Sequence, residues 1–117
     1  MRVQLLAAAL AALSFTGQAL AHARLIESIP AADSSVGASP TEINLRFNEP
    51  IEARFSGIDL SGPDGAAVST GATASRDQGM TVPVQGPLVP GVYHVGWHAL
   101  SADGHKLEGS FKFEVRP

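Results

Sequence analysis

GVYHVGWHAL, residues 91–100, alternates large apolar and polar or small side chains with a period of two. In an extended strand Tyr93, Val95, Trp97 and Ala99 fall on one face, and His94, Gly96 and His98 on the other. One face is therefore set to enter a core and the other to meet solvent. Trp97 is expected to fill space between two sheets. His94 and His98, four residues apart at ~3.3 Å per residue, would lie roughly 13 Å apart, too far to share an ion, and read as surface residues.

The same pattern recurs on both sides. TEINLRF (41–47) sets Ile43, Leu45 and Phe47 against Glu42, Asn44 and Arg46. GSFKFEV (109–115) sets Phe111, Phe113 and Val115 on one face. ARLIESI (23–29) runs into the turn-rich PAADSSVGASP. FSGIDL (55–60) and AAVST (66–70) flank the Pro-Asp-Gly turn in SGPDG, and MTVPV (80–84) carries Pro83, which suits an edge or a bulge. No segment has a helical period. About seven short strands with turn signals every ~8–12 residues predict an all-β fold, a small antiparallel immunoglobulin-like sandwich or Greek-key barrel.

The first residues form a separate unit. Arg2, the apolar run LLAAALAALSF and the small-residue motif ALA have the order of a secretion signal, and the apolar run falls short of the ~20 residues that span a bilayer. The expected division is a cleaved leader over 1–21 and one domain over 22–117. Removing Arg2 takes the formal net charge from −3 to −4. Such a domain has no electrostatic footprint for nucleic acid or anionic lipid, and no second apolar stretch for insertion into a membrane. The chain has no cysteine. Disulfides and thiolate metal sites are excluded, and the domain rests on its apolar core.

The densest polar cluster is SADGHKLEGS, residues 101–110. Asp103 and His105, two apart, point to one side of an extended backbone, with Gly104 free to adjust between them. A carboxylate and an imidazole so placed make half of a metal site, or a hydrogen-bonded pair in a surface loop. His22 bears on the choice. A cut after Ala21 gives His22 a free α-amine, whose nitrogen can chelate one ion together with the ring Nδ1. The imidazole of His105 and the carboxylate of Asp103 would complete a set of three nitrogens and one oxygen. That set suits Cu(II), the highest divalent ion in the affinity series. A cut after Ala23 fits the small-residue rule equally and would discard the histidine.

AHARLIESIPAADSSVGASPTEINLRFNEPIEARFSG, followed by PLVPGVYHVGWHALSADGHKLEGSFKFEV, resembles the CopC family of periplasmic copper-resistance proteins over essentially the whole mature chain. The elements that carry the resemblance are the histidine at the leader junction, LRFNEPIE, and Y-x-V-x-W-x-A-x-S-A-D-G-H followed by G-S-F-x-F. It implies a periplasmic protein binding one Cu(II) per chain through His22, Asp103 and His105, with Glu49 of NEP beside the ion as an outer or weak axial group. It implies a CopD-like inner-membrane partner, and a monomer is expected. Some members also hold Cu(I) in a methionine-rich loop. The corresponding stretch here, DLSGPDGAAVSTGATAS, has no Met or His, so a Cu(II)-only member is expected. Ala23 and Lys106 stand where many members have proline.

No catalytic motif is present, and the chain is expected to be no enzyme. Two other readings fit the residues. An N-terminal His with a second His resembles the histidine brace of copper monooxygenases, although Asp103 would fill a position that oxygen needs. A metal-free immunoglobulin-like interaction module is the third.

Overall fold

A computed structural model describes residues 23–117; the expected leader, residues 1–21, and His22 lie outside the described residues. Eight strands follow one another: β1 (Leu25–Ile29), β2 (Ser35–Val36), β3 (Glu42–Phe47), β4 (Gly57–Ser61), β5 (Ala74–Arg76), β6 (Gly79–Pro83), β7 (Gly91–Leu100) and β8 (Lys106–Val115). They form two four-stranded sheets, ordered β1-β3-β6-β5 and β2-β8-β7-β4. All pairs are antiparallel except β2 with β8, which run parallel. This is the expected β-sandwich, with one parallel pair at an edge. Among the described residues no helix is long and apolar enough to cross a membrane.

The alternating pattern becomes the core. Ile43, Leu45 and Phe47 of β3, with Met80 and Val82 of β6, are buried on the inner face of one sheet. Ile58 and Leu60 of β4, Tyr93, Val95 and Ala99 of β7, and Phe113 and Val115 of β8 face them from the other. Phe47 and Trp97 meet edge-to-face between the sheets at 5.2 Å. Tyr93 stacks on Phe113 at 5.7 Å, and its hydroxyl donates to the Val89 carbonyl at 2.6 Å, so the ring is buried without orphaning its polar end. Trp97 is half-buried and lies across its cross-strand neighbour Gly109, where a Cβ would come within 2.7 Å of the indole. A glycine in mid-strand is therefore what lets this tryptophan fold down onto β8.

Several boundaries differ from the sequence reading. AAVST (66–70) is no strand. Ala67 bridges Ser61 of one sheet and Thr70 bridges Val84 beside the other, because this stretch crosses between the two layers. β2 and β5 were not foreseen; two and three residues are too few to display alternation. β8 begins at Lys106 rather than 109 and pairs with β7 along its whole length. Phe55 precedes β4, in a 3-10 turn over Ala53–Phe55. Pro83 sits past the end of β5, which pairs only as far as Thr81; on that side the segment at Thr70 takes over, where the Gly71 N–H donates to the Pro83 carbonyl at 2.9 Å.

Candidate metal centre

The two longest strands, β7 and β8, are joined by the loop 101–105, and that loop carries the chemistry. Gly104 N–H donates to the Ser101 carbonyl at 2.9 Å, closing a β-turn, and Ser101 N–H donates to the His105 carbonyl at 2.9 Å. Gly104 has φ of 90°, in the region that side chains disfavour. The bend there brings Asp103 and His105 together, with Nδ1 of the imidazole 3.0 Å from Oδ2 of the carboxylate. Both side chains remain open to solvent, 54% exposed for His105 and 43% for Asp103.

Ser101 organises this pair, and the sequence reading passed over it. It is 1% exposed, the single buried polar side chain among the described residues. Its hydroxyl donates to Asp103 Oδ1 and accepts the His105 N–H at 3.2 Å. The Ser101 hydroxyl, and after it the His105 ring, hold the Asp103 carboxyl down from 3.8 to about 2. The carboxylate is thus fully ionised at any physiological pH.

Glu49 lies half-buried in the bend after β3. The residues on either side of it are tied to two other parts of the chain. Asn48 exchanges two hydrogen bonds with Arg24: its Oδ1 accepts the Arg24 N–H at 2.7 Å, and its own N–H donates to the Arg24 carbonyl at 3.1 Å. Pro50 accepts the Ala102 N–H at 2.9 Å, and Ile51 bridges Ser101. The Asn48–Pro50 segment therefore links the start of the described chain to the Asp-x-His loop. Ala23, the first described residue, is 4% exposed. Asn48 was also missed, because a polar residue after a strand gives no sign of a partner 24 positions away.

Of the candidate site residues, Asp103 and His105 are in contact and Glu49 is on the neighbouring bend, while His22 lies outside the described residues. No group of three or more His, Cys, Asp or Glu among the described residues is placed to hold an ion. His94 and His98 are exposed on the outer face of β7, as the alternation implied, opposite Lys112 and Glu108 of β8. Nitrogen and oxygen ligands at 2.0–2.1 Å from one ion, at right angles to each other, stand ~2.9 Å apart. The observed 3.0 Å between Nδ1 and Oδ2 is an imidazole–carboxylate hydrogen bond, which keeps a nitrogen and an oxygen donor side by side on one exposed loop; an ion bound by both atoms would replace that hydrogen bond.

The family model of the CopC domain matches residues 25–116. Over 99 residues the chain is 39% identical to Protein YobA of Escherichia coli (strain K12), an alignment covering 82% of this chain and 80% of that protein. Among solved structures, CopC from Methylosinus trichosporium OB3b superposes with a TM-score of 0.74 at 33% identity, covering 82% of this chain and 95% of that one. PcoC, a methionine-rich copper resistance protein from Escherichia coli, superposes with a TM-score of 0.72 at 34% identity, covering 82% and 100% of the two chains.

Proposed function

The chain belongs to the CopC family, and on that premise we propose that it is a periplasmic carrier of a single Cu(II) ion, held by His22, Asp103 and His105. The observation that carries this reading is the Asp103–His105 pair, a carboxylate and an imidazole held side by side at 3.0 Å on one exposed loop. The α-amine and ring of His22, freed by a cut after Ala21, supply the other two nitrogens. Two features support a contribution from that end of the chain. Arg24 and Ala102 are bonded to either side of Glu49, so the start of the described chain lies beside the loop. Ala23 is buried, so a cut after it would remove a residue that the fold packs away. Glu49 then stands as an outer or weak axial group.

The ligand chemistry favours Cu(II) over Cu(I). Four nitrogen and oxygen donors without sulfur suit the oxidised ion. The only methionine after Met1 is Met80, which is 1% exposed in the core, whereas PcoC is described as methionine-rich. We read the protein as a carrier for copper sequestration or for handover to a CopD-like inner-membrane protein, acting as a monomer. It is not read as an enzyme, since the Asp103 carboxylate would occupy a coordination position that oxygen activation requires.

Native intact mass of the exported protein, before and after one equivalent of Cu(II), tests the reading. The expected chain begins at His22, gains one copper, and fails to do so as Asp103→Ala or His105→Ala. A chain that begins at Arg24, or one that begins at His22 and stays metal-free, overturns it.

A further inference from the structure

The 3-10 turn Ala53–Phe55 is fastened to the end of β7. Glu52 N–H donates to the Leu100 carbonyl at 2.8 Å, the Ser56 hydroxyl donates to the Glu52 carbonyl at 2.7 Å, and Leu100 N–H donates to Ser56 Oγ at 3.1 Å. This turn holds Phe55 out into solvent, 58% exposed, with the Arg54 guanidinium 5.6 Å from the ring centre. From there a groove of about 650 Å³ runs past His98 and Leu100 to Lys106 and Leu107. Lys106 directly follows His105, so the groove opens beside the metal loop.

Two cations, Arg54 and Lys106, line this groove. Among the described residues, neither Arg54 nor Lys106 has a carboxylate within ion-pair distance. The groove over the outer face of the other sheet differs: Arg46, paired with Glu27 at 3.4 Å, and Arg76 share it with the carboxylates Glu27, Glu42 and Asp77, so its lining is net negative. Glu108 lines the same groove, which leaves its lining with one net positive charge. A preset, exposed aromatic next to an unpaired arginine has the composition of a binding hot spot. Two cations are too few to hold a nucleic acid, and fall short of the basic clusters of about four to eight that anionic membranes select.

We propose that the Arg54–Phe55–Lys106 groove docks an acidic segment of the protein that exchanges copper with this chain. Carboxylates of that segment face Arg54 and Lys106, and an apolar side chain covers Phe55 and Leu107. The proposal rests on the copper-carrier reading, and it places the exchange partner where the ion is exposed.

The test is an amide-resolved NMR titration of the metal-free domain with three probes. They are a synthetic peptide alternating Asp and Glu with Leu and Phe, the same peptide with lysines replacing the acids, and phosphatidylglycerol vesicles. Shifts on adding the acidic peptide are expected to centre on Arg54, Phe55, Leu100, Lys106 and Leu107. Binding should weaken with added salt and fall about tenfold in Phe55→Ser and in Arg54→Glu. Both variants should retain Cu(II) uptake, followed by Trp97 fluorescence. Scattered or absent shifts, or a stronger response of the same residues to vesicles, to the basic peptide or to a rising concentration of the chain itself, overturn the docking surface. If the unmodified chain takes up no Cu(II), the carrier reading fails and the exchange with it. If it takes up Cu(II) while the acidic peptide binds elsewhere, only the docking surface falls.

Discussion

The Ser101 hydroxyl, buried at the base of the loop, donates to the Asp103 carboxylate that reaches out toward solvent. One inward serine therefore sets both the position and the ionisation of one outward ligand. In Ser101→Ala the Asp103 pKa should rise from about 2 toward 3.8, measured by carboxyl carbon NMR of the metal-free protein. The folded value lies below the ordinary one. The contribution to stability is thus complete above about pH 4 and is lost as pH falls through about 2, and the variant should lose that dependence. Cu(II) affinity should fall about 10–100-fold, as when an outer partner of a metal ligand is removed. An unchanged Asp103 titration in the variant would refute the role assigned to Ser101.

Gly104 adopts a φ of 90°, so Gly104→Ala forces a Cβ into a disfavoured region. The expected loss of stability is about 1–2 kcal/mol by urea unfolding. Nothing lies within 4 Å of the added Cβ, so the cost is backbone strain alone. If the loop relaxes by opening, Asp103 and His105 separate and Cu(II) affinity falls as well. A variant with full stability and full affinity would contradict the strain argument.

Phe47 is fully buried and meets Trp97 between the sheets. Phe47→Ala should cost about 3–5 kcal/mol, mostly from the cavity it leaves. For a domain of this size that corresponds to a drop in Tm of more than about 10 °C in a thermal scan. The outer-face variants His94→Ala and His98→Ala should stay within about 0.5 kcal/mol of the parent.

Trp97 is the only tryptophan, and lies four residues from Ser101, roughly 13 Å along β7. Its fluorescence should be quenched by Cu(II) and level off at one equivalent. Quenching should disappear in His105→Ala and persist in His94→Ala and His98→Ala. Cu(II) should raise Tm by mass action, and a chelator should return it to the metal-free value. Saturation at two or more equivalents would count against a single site.

The parts of the molecule legible in the sequence were those with local causes. Alternation in 41–47, 91–100 and 109–115 named the inward residues correctly because side-chain direction in a strand repeats every two positions. Asp103 and His105 could be paired because two residues flanking a glycine have few ways to miss each other. β2, β5 and the crossing at 66–70 were not legible. β2 exists only because the distant β8 pairs with it, β5 is the short arm of a hairpin with β6, and 66–70 takes its bridges from both sheets in passing.

The sequence by itself determined the layered all-β architecture, the inward faces and the Asp-x-His pair, since these follow from periodicity and from neighbours a few bonds apart. Only the tertiary structure decided that Ser101 lies beneath that pair, and that Asn48 and Pro50 tie Arg24 to Ala102. It also decided that a pinned turn leaves Phe55 exposed beside Lys106. Ser101 is only two residues from Asp103, but it turns inward because the packed sheets bury it; the other two relationships join residues far apart in the chain, and such contacts become available only when the two sheets have packed.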